Sequence, residues 1–495
     1  MMQHRLLEGI DIEPLVAATC GVLEKVGILC QNREILEALA ALGARVDLGQ
    51  ERARFPEAMV RSFVAGVQAE LARPPAGKAS DGTAPAGSAV AAFYENYTGG
   101  VQGAAPVFVK PEMPAFGTQI AQVYYDYAAD ERRGGSRQDL ITCLQIGEAL
   151  HGAHGVGHCL CQTEVAAPLE SLESALVMAE YCERPQPPFA WYVDQVDYLI
   201  EMGEIMGWKN WFTYGATCFA HPLRLDKDVA DKFVRRIRHG GTAGFTAMPV
   251  AGMTTPVTVE GFTAVAAAEI VATWLAGRAL NARCPLGGSM WSATLDMRSG
   301  ETSYSAPDAL YYGFVCCEFI RRWSGISLPV GGGDYCAARE PGLHTAMEKA
   351  WKAMTIAAFQ GHHPGIGEGL LECGRTLCPV QLLIERDLTE GWAHLAGRPT
   401  PTAARINLEG CLQVDLGFLE NHLGSEHTLA HFRELWTPAL IDRRGWRGQA
   451  SDRQMLEQAQ GRIGDLLAAY RKPEGRQDRL AQMRAVVERA RRALV

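Results

Sequence analysis

Between about residues 113 and 390, short apolar runs alternate eight times with stretches long enough for amphipathic helices. The runs lie near 114–117, 157–165, 188–193, 211–217, 243–249, 283–290, 326–333 and 363–368. Helical spacing falls near 138–151, 169–182, 196–206, 226–239, 259–280, 307–323, 343–360 and 378–388. Parallel neighbours cannot be joined by a tight turn, so this rhythm predicts strands linked by crossover helices. Eight such units close into a (β/α)8 TIM barrel more readily than they spread into a sheet. An open doubly wound sheet is the alternative; no Gly-x-Gly-x-x-Gly opens a helix after a strand, which counts against it.

The flanks read differently. Residues 1–72 are expected to form a helical extension, with Ile35, Leu36, Leu39 and Leu42 at helical spacing and Gly43 as a stop. From 73 to 112 the chain turns to Pro, Ala, Gly and Ser, which predicts a flexible loop and lead-in. A second helical extension covers 391–495, where Met455, Ala459, Ile463, Leu466 and Tyr470 make a stripe suited to the barrel wall or to a second subunit. A homo-oligomer is expected on that ground. A net charge of -9 argues against a nucleic-acid surface. The 14 cysteines lack regular spacing, no leader pattern opens the chain, and no apolar run approaches the roughly 20 residues that cross a bilayer. The expectation is a soluble, cytoplasmic protein without a membrane anchor.

Two glycine-rich turns are the candidate ligand loops. Gly331-Gly332-Gly333-Asp334-Tyr335-Cys336 follows the seventh run, and Gly365-Ile366-Gly367-Glu368 closes the eighth. Glycine sets no steric limit on φ and lets backbone approach a bound group closely. In a barrel of parallel strands such ends carry the chemistry.

Several stretches resemble one family. Val22 to Ile28 followed by Leu42 to Asp47, Met248 to Thr258, Leu295-Asp296-Met297-Arg298-Ser299-Gly300, and Glu426-His427-Thr428-Leu429 with His431 to Glu434 are similar to the trimethylamine methyltransferase family in order along the chain. The resemblance implies an enzyme that takes a methyl group from a methylamine or quaternary amine and passes it to the cobalt of a corrinoid (cobalamin) held by a separate small protein. Archaeal trimethylamine members carry a pyrrolysine just after the seventh strand. Glu348-Lys349 sets the register here and Tyr335 stands at that position. The chain therefore looks more like the branch without pyrrolysine, which includes glycine betaine and related quaternary-amine demethylases.

Such a transfer is an in-line displacement whose amine departs neutral, so no general acid is required. The protein must supply position, a dry pocket and a field that holds the cation. Aromatic faces hold quaternary ammonium at about 0.5–2 kcal/mol per ring. Trp191, Tyr192 and Tyr214 end earlier runs; Trp291, Tyr304 and Tyr335 are the better candidates because each sits beside Gly, Ser or Asp. Tyr335, Asp334 and Glu368 are the candidate catalytic residues, with Glu372 a further carboxylate. Asp296 and Arg298 either orient substrate or form an ion pair that shapes a turn. His362 and His363 either bond a carboxylate substrate or the corrinoid edge, or are satisfied by backbone. Gly331, Gly332, Gly333, Gly365 and Gly367 are the candidate cofactor-approach residues.

His158-Cys159-Leu160-Cys161 raises zinc, but no second Cys or His pair follows at ligand spacing, and no metal is expected. No Asp-x-His-x-x-Gly occurs to ligate cobalt permanently, so the corrinoid is expected from a partner protein and not as a tightly held group. Three other readings stay open: a barrel methyltransferase with another donor or a direct folate acceptor, a barrel lyase or decarboxylase acting alone, and a quaternary-amine binding protein without turnover.

Overall fold

The eight expected helices form close to their expected bounds. A computed structural model describes residues 5–72, 116–117, 119–151, 156–215, 217–220, 222–360, 366–394, 399–415, 421–441, 444–445 and 447–495. Ahead of the alternating region lie α1 (Glu13–Lys25), α2 (Arg33–Leu42) and α3 (Glu57–Leu71). The alternating region supplies α4 (Arg137–His151), α5 (Ala167–Tyr181), α6 (Val196–Met206), α7 (Lys227–Arg238), α8 (Val259–Leu280), α9 (Pro307–Ser324), α10 (Leu343–Gln360) and α11 (Pro379–Ala393). Beyond it come α12 (Ala403–Ile406), α13 (Leu408–Asp415), α14 (Glu426–His431), α15 (Gln449–Ala469) and α16 (Gln477–Leu494). The expected loop over 73–112 lies outside the described residues.

Local chemistry explains the helix starts. Asn32 caps α2 by accepting from the Ile35 N–H, and Thr258 caps α8 by accepting from Gly261. Proline opens α5, α9 and α11, where its missing N–H costs nothing. Helix α8 is apolar on nearly every face. Contrary to the expectation that no segment is long enough, α8 has the length and composition to cross a membrane, yet 78% of its apolar window is buried inside the protein. Helices α1, α2, α7 and α9 cover it, which makes it a core helix.

The strands are shorter than the apolar runs. Among the described residues they form five sheets of two to four strands. Parallel pairing joins Phe189–Ala190 to Thr213–Tyr214, Thr246–Ala247 to Ser289–Met290, and Thr376–Leu377 to the Val123–Asp126 strand. Isolated parallel bridges add Ala121 to Leu160 and Met290 to Val330. The fold is thus mixed α/β, with small and partly parallel sheets. No registered ladder runs from the first unit round to the eighth among the described residues.

Two differences from the sequence reading concern the flanks. The N-terminal extension is not purely helical: strand Ile28–Cys30 pairs antiparallel with Arg52–Arg54 and parallel with Arg224–Leu225, which ties the extension into the main body. In the C-terminal extension Met455, Ala459, Ile463 and Leu466 are all buried, because α15 packs on α4 and α11, and α16 packs on α5 and α6. The stripe that suggested a second subunit is already covered within the chain. Buried apolar residues form two clusters, one around α8 with the N-terminal extension and one around α4, α5, α11, α15 and α16.

Candidate functional site

Three of the expected aromatic residues meet. The Tyr335 ring takes edge contacts from Trp291 at 4.8 Å and 89°, and from Tyr304 at 5.5 Å and 87°. Edge-to-face contact is a favourable packing geometry for aromatic rings and locks the three side chains together. The Tyr335 hydroxyl donates to Gln119 Oε1 at 3.4 Å. Burial pushes the Tyr304 phenol up to about 12, with the Cys373 and Cys218 thiols adding to it, so it stays neutral.

The glycine turn places these rings. A Cβ on Gly331 would stand 1.8 Å from the Trp291 indole nitrogen, so the turn lies flat against the indole. Gly332 has φ +77, and Gly374 is needed opposite, since a Cβ there would come within 2.3 Å of the Tyr335 ring. Glu372 and Cys373, ahead of Gly374, adopt φ of 50 and 57. Two successive non-glycine residues in the left-handed region are costly and persist where surrounding contacts enforce them. Here the Glu372 N–H donates to Ala338 O at 3.0 Å and Cys373 N–H to Cys336 O at 2.7 Å, which tie this turn to the Tyr335 loop. Gly331 and Gly332 thus serve side-chain packing first, and Gly333 sits buried in the same turn.

Asp334 and Glu368 are brought in, but from beneath. Asp334 Oδ1 accepts from the Gly367 N–H at 3.1 Å and the Glu368 N–H at 3.3 Å, and lies 3.5 Å from the Lys349 ammonium. Gly367, at φ 138, makes that approach possible. Glu368 is 3% exposed and accepts from the Gln119 N–H at 3.1 Å. Both carboxylates thus accept from backbone.

Sequence reasoning missed the rest of this layer. Lys349 bonds Glu385 Oε1 at 2.5 Å, Glu385 Oε2 accepts from Gly369 N–H at 3.0 Å, and Arg386 donates to Gly367 O at 3.0 Å. Asp334, Glu368, Glu385, Lys349, Lys352 and Arg386 are all six buried, and of the two lysines only Lys349 meets carboxylates. Burial pulls the Lys349 ammonium down, but Glu385 and Asp334 more than reverse this and hold it above the ordinary lysine range. Burial pushes Glu385 up to about 7 against the pull of Lys349, and lowers Arg386 to about 10. Lys349 and Lys352 occupy the core-facing stripe of α10 with Ala346, Ala353 and Ile356. Charges at the apolar positions of an amphipathic helix were the available signal; Lys349 had been read only as a register mark.

A second buried network supports Trp191. Glu170 on α5 accepts from Trp191 Nε1 at 2.9 Å, from Ser174 at 2.8 Å and from the Gln162 N–H at 3.1 Å, and shares a 3.0 Å bond with His158 Nε2. Burial alone would raise this carboxyl, but His158 and then the Trp191 donor pull it down to about 2. Among the described residues no three His, Cys, Asp or Glu side chains converge to hold a metal ion.

Other expected residues lie elsewhere. Asp296 and Arg298 are exposed on a hairpin, where Asp296 accepts from the Arg298 N–H at 2.8 Å. They make no ion pair with each other, so the motif is a turn that joins Ala293–Leu295 to Thr302–Ser303. Glu372 bonds Arg132 at 2.9 Å and takes a donor from Thr376. His362, His363 and Gly365 lie outside the described residues.

The model of the family described as trimethylamine methyltransferase (MTTB) matches residues 114–494, most of the chain. The chain belongs to the trimethylamine methyltransferase family. Among its relatives, trimethylamine methyltransferase MttB2 of Methanosarcina mazei is 25% identical over 285 residues, covering 56% of this chain and 55% of that one. MttB1 of Methanosarcina acetivorans is 25% identical over 284 residues, with 56% and 55% covered. A glycine betaine methyltransferase of Desulfitobacterium hafniense is 23% identical over 257 residues, with 51% and 52% covered. The chain thus spans about half the length of these members of the trimethylamine methyltransferase family.

Proposed function

We propose that the chain is a methyltransferase that moves a methyl group from a quaternary or methylated amine to the Co(I) corrinoid of a separate protein. The observation that carries this reading is the perpendicular contact of Tyr335 with Trp291 and Tyr304. Three neutral aromatic faces stabilise an onium by about 0.5–2 kcal/mol each and leave its methyl groups unbonded. Asp334 and Glu368 lie below and contribute a negative field, while their bonds to backbone keep them from acting as nucleophiles.

The catalytic contribution of these residues is placement. Trp291, Tyr304 and Tyr335 fix the onium, exclude water from it and direct one N–CH3 bond outward. The tertiary amine leaves uncharged, so no residue has to deliver a proton. When docked, the partner's corrinoid supplies the nucleophile that takes the methyl group. We assign no resident cofactor site to Gly331, Gly332 and Gly333, since the Trp291 indole already occupies the space a Cβ would take on Gly331. The exposed apolar ridge of Met253, Val257 and Met297 is the proposed contact for the corrinoid protein, with Asp296 and Arg298 at its edge.

The architecture we infer is a (β/α)8 barrel whose parallel neighbours are the pairs at 121 and 160, 189–190 and 213–214, 246–247 and 289–290, and 290 and 330. Bonds from Gln186 N–H to Val156 O at 2.9 Å and from Thr246 N–H to Thr217 O at 3.0 Å support continuity between those pairs. The test is methylation of Co(I) cobalamin, followed by its visible spectrum, with a panel of betaines and methylamines. Formation of methylcobalamin with one donor supports the reading. Silence across the panel with folded protein and reduced cobalamin removes it.

A further inference from the structure

The C-terminal extension changes character at residue 441. Beyond it α15 and α16 bury their apolar stripes on the body, whereas among the described side chains from 399 to 441 not one is buried. The earlier segment is folded all the same. Thr402 caps α12 by accepting from the Arg405 N–H, Ser425 caps α14 by accepting from the Thr428 N–H, and Glu434 joins the two by bonding Arg405 and sharing a 2.6 Å bond with His431. Helices α12, α13 and α14 have 4, 8 and 6 residues. An isolated helix shorter than roughly 12–15 residues is marginal in water, so such pieces depend on a cover.

The body supplies that cover only at the root. Asp387 on α11 accepts from the Ala439, Leu440 and Ile441 N–H groups at 2.7, 3.0 and 2.9 Å, and a Cβ on Gly391 would stand 2.7 Å from the Trp436 ring. Ahead of the root, seven large apolar side chains between Ile406 and Leu435 are 48% to 82% exposed. Together they leave roughly 800 Å² in water, about what each partner contributes to a standard-size interface.

We propose that residues 399–441 form a dimerisation arm, covered by the same arm of a second copy across a twofold axis. Two features select that occupant. The cover must be standing, because the short helices depend on it, whereas a corrinoid protein has to leave after each transfer. The charges of the arm are also spent within it, on the contacts of Glu434 with Arg405 and His431, so the face left over is apolar. That is the character of an obligate interface and not of a transient, charge-steered one. The first feature rests on the methyl-transfer reading above, and the second does not. A twofold contact of the arm with itself closes at two copies, whereas docking on a different surface would propagate. The second copy is thereby placed away from the α15 stripe, which the chain covers itself.

The test is sedimentation velocity with amide hydrogen exchange on the full chain, in wild type, Leu429→Glu, Leu435→Glu and Leu48→Glu. Wild type should sediment as a dimer or a multiple of it, with the amides of α12 to α14 protected. Leu429 and Leu435 are 74% and 65% exposed in the single chain, so a charge there spares its core. Each substitution acts twice across a twofold axis, so the dimer dissociation constant should rise roughly a hundredfold and the arm should lose protection. Leu48, 48% exposed in the N-terminal extension, is the control and should change neither. Dilution of wild type reads the same coupling without a substitution: arm protection should fall as the dimer dissociates. A monomeric wild type overturns the proposal, and arm protection that appears only when the corrinoid protein is added gives the surface to that partner instead. Dimers that persist in both arm variants, or that dissociate equally in Leu48→Glu, overturn it as well. None of these outcomes bears on methyl transfer to cobalamin, which is assayed separately.

Discussion

Lys349 and Glu385 meet at 2.5 Å with both side chains wholly shielded from solvent, on helices that face each other beneath the candidate site. An ion pair so placed is valuable mainly because neither partner tolerates the loss of the other. Lys349→Met should therefore destabilise the protein by about 3–5 kcal/mol. The double variant Lys349→Met with Glu385→Leu should recover much of that loss. Denaturant unfolding of the single and double variants measures both, and additive losses would refute the coupling.

Gly331→Ala forces the indole of Trp291 to move, because the added carbon would lie 1.8 Å from its nitrogen. The expected cost is about 1–3 kcal/mol of stability. Tetramethylammonium affinity should fall at least tenfold, and the tryptophan emission should shift. Titration followed by fluorescence reads both effects, and an unchanged affinity would remove Trp291 from the onium site.

Tyr335 separates ring from hydroxyl. Tyr335→Phe keeps the face that meets Trp291 and Tyr304 and loses only the 3.4 Å bond to Gln119, so tetramethylammonium binding should stay within about threefold. Tyr335→Ala should weaken it by a factor equivalent to about 0.5–2 kcal/mol, with the thermal midpoint little changed. Equal affinities in the two variants would exclude a role for the ring.

Glu170 collects His158, Ser174, Trp191 and a backbone N–H. Glu170→Ala leaves those groups unmatched in the core, and roughly 3 kcal/mol of stability should go with it. The carboxyl is held at about 2 against an ordinary 4.5, so its stabilisation is complete above pH 4.5 and is lost as pH falls through about 2. Acid unfolding of wild type and variant should converge below that pH.

Two other buried groups, Lys352 and Lys232, carry a penalty in place of a stabilisation. Burial lowers Lys352 and Lys232 from 10.5 to about 8, so between about 8 and 10.5 the unfolded chain binds more protons than the folded one. Stability from this source rises with pH across that window, and the full penalty applies below 8. Lys352→Met should thus stabilise the fold by about 2–3 kcal/mol at pH 7 and by far less at pH 10.5. Denaturation midpoints at the two pH values give the comparison.

Much of the helical frame was legible because its signals are local. The stretches expected over 196–206, 259–280 and 343–360 coincide with α6, α8 and α10, since apolar period, caps and glycine stops all lie within one helix length. The strands were harder, since two paired residues leave little pattern, and parallel strand pairing here depends on a neighbour 24 or more residues away. The aromatic positions were legible as polar-flanked ends of apolar runs. For Asp296 the sequence left a turn and a substrate contact both open, because Asp, Ser and Gly build a tight turn with the same residue types that build a ligand loop.

By itself the sequence determined the order of helices, the placement of Gly331 to Gly333 after the seventh run, and the presence of Tyr335 in that turn. Only the tertiary structure decided that Lys349 is paired and Lys352 is not, though three residues on one helix separate them. Likewise it alone gives the Trp191 indole an acceptor and leaves the Trp291 indole without one among the described residues. Helix periodicity is written in adjacent residues, whereas the state of a buried charge or donor depends on which distant side chains share its low-dielectric surroundings.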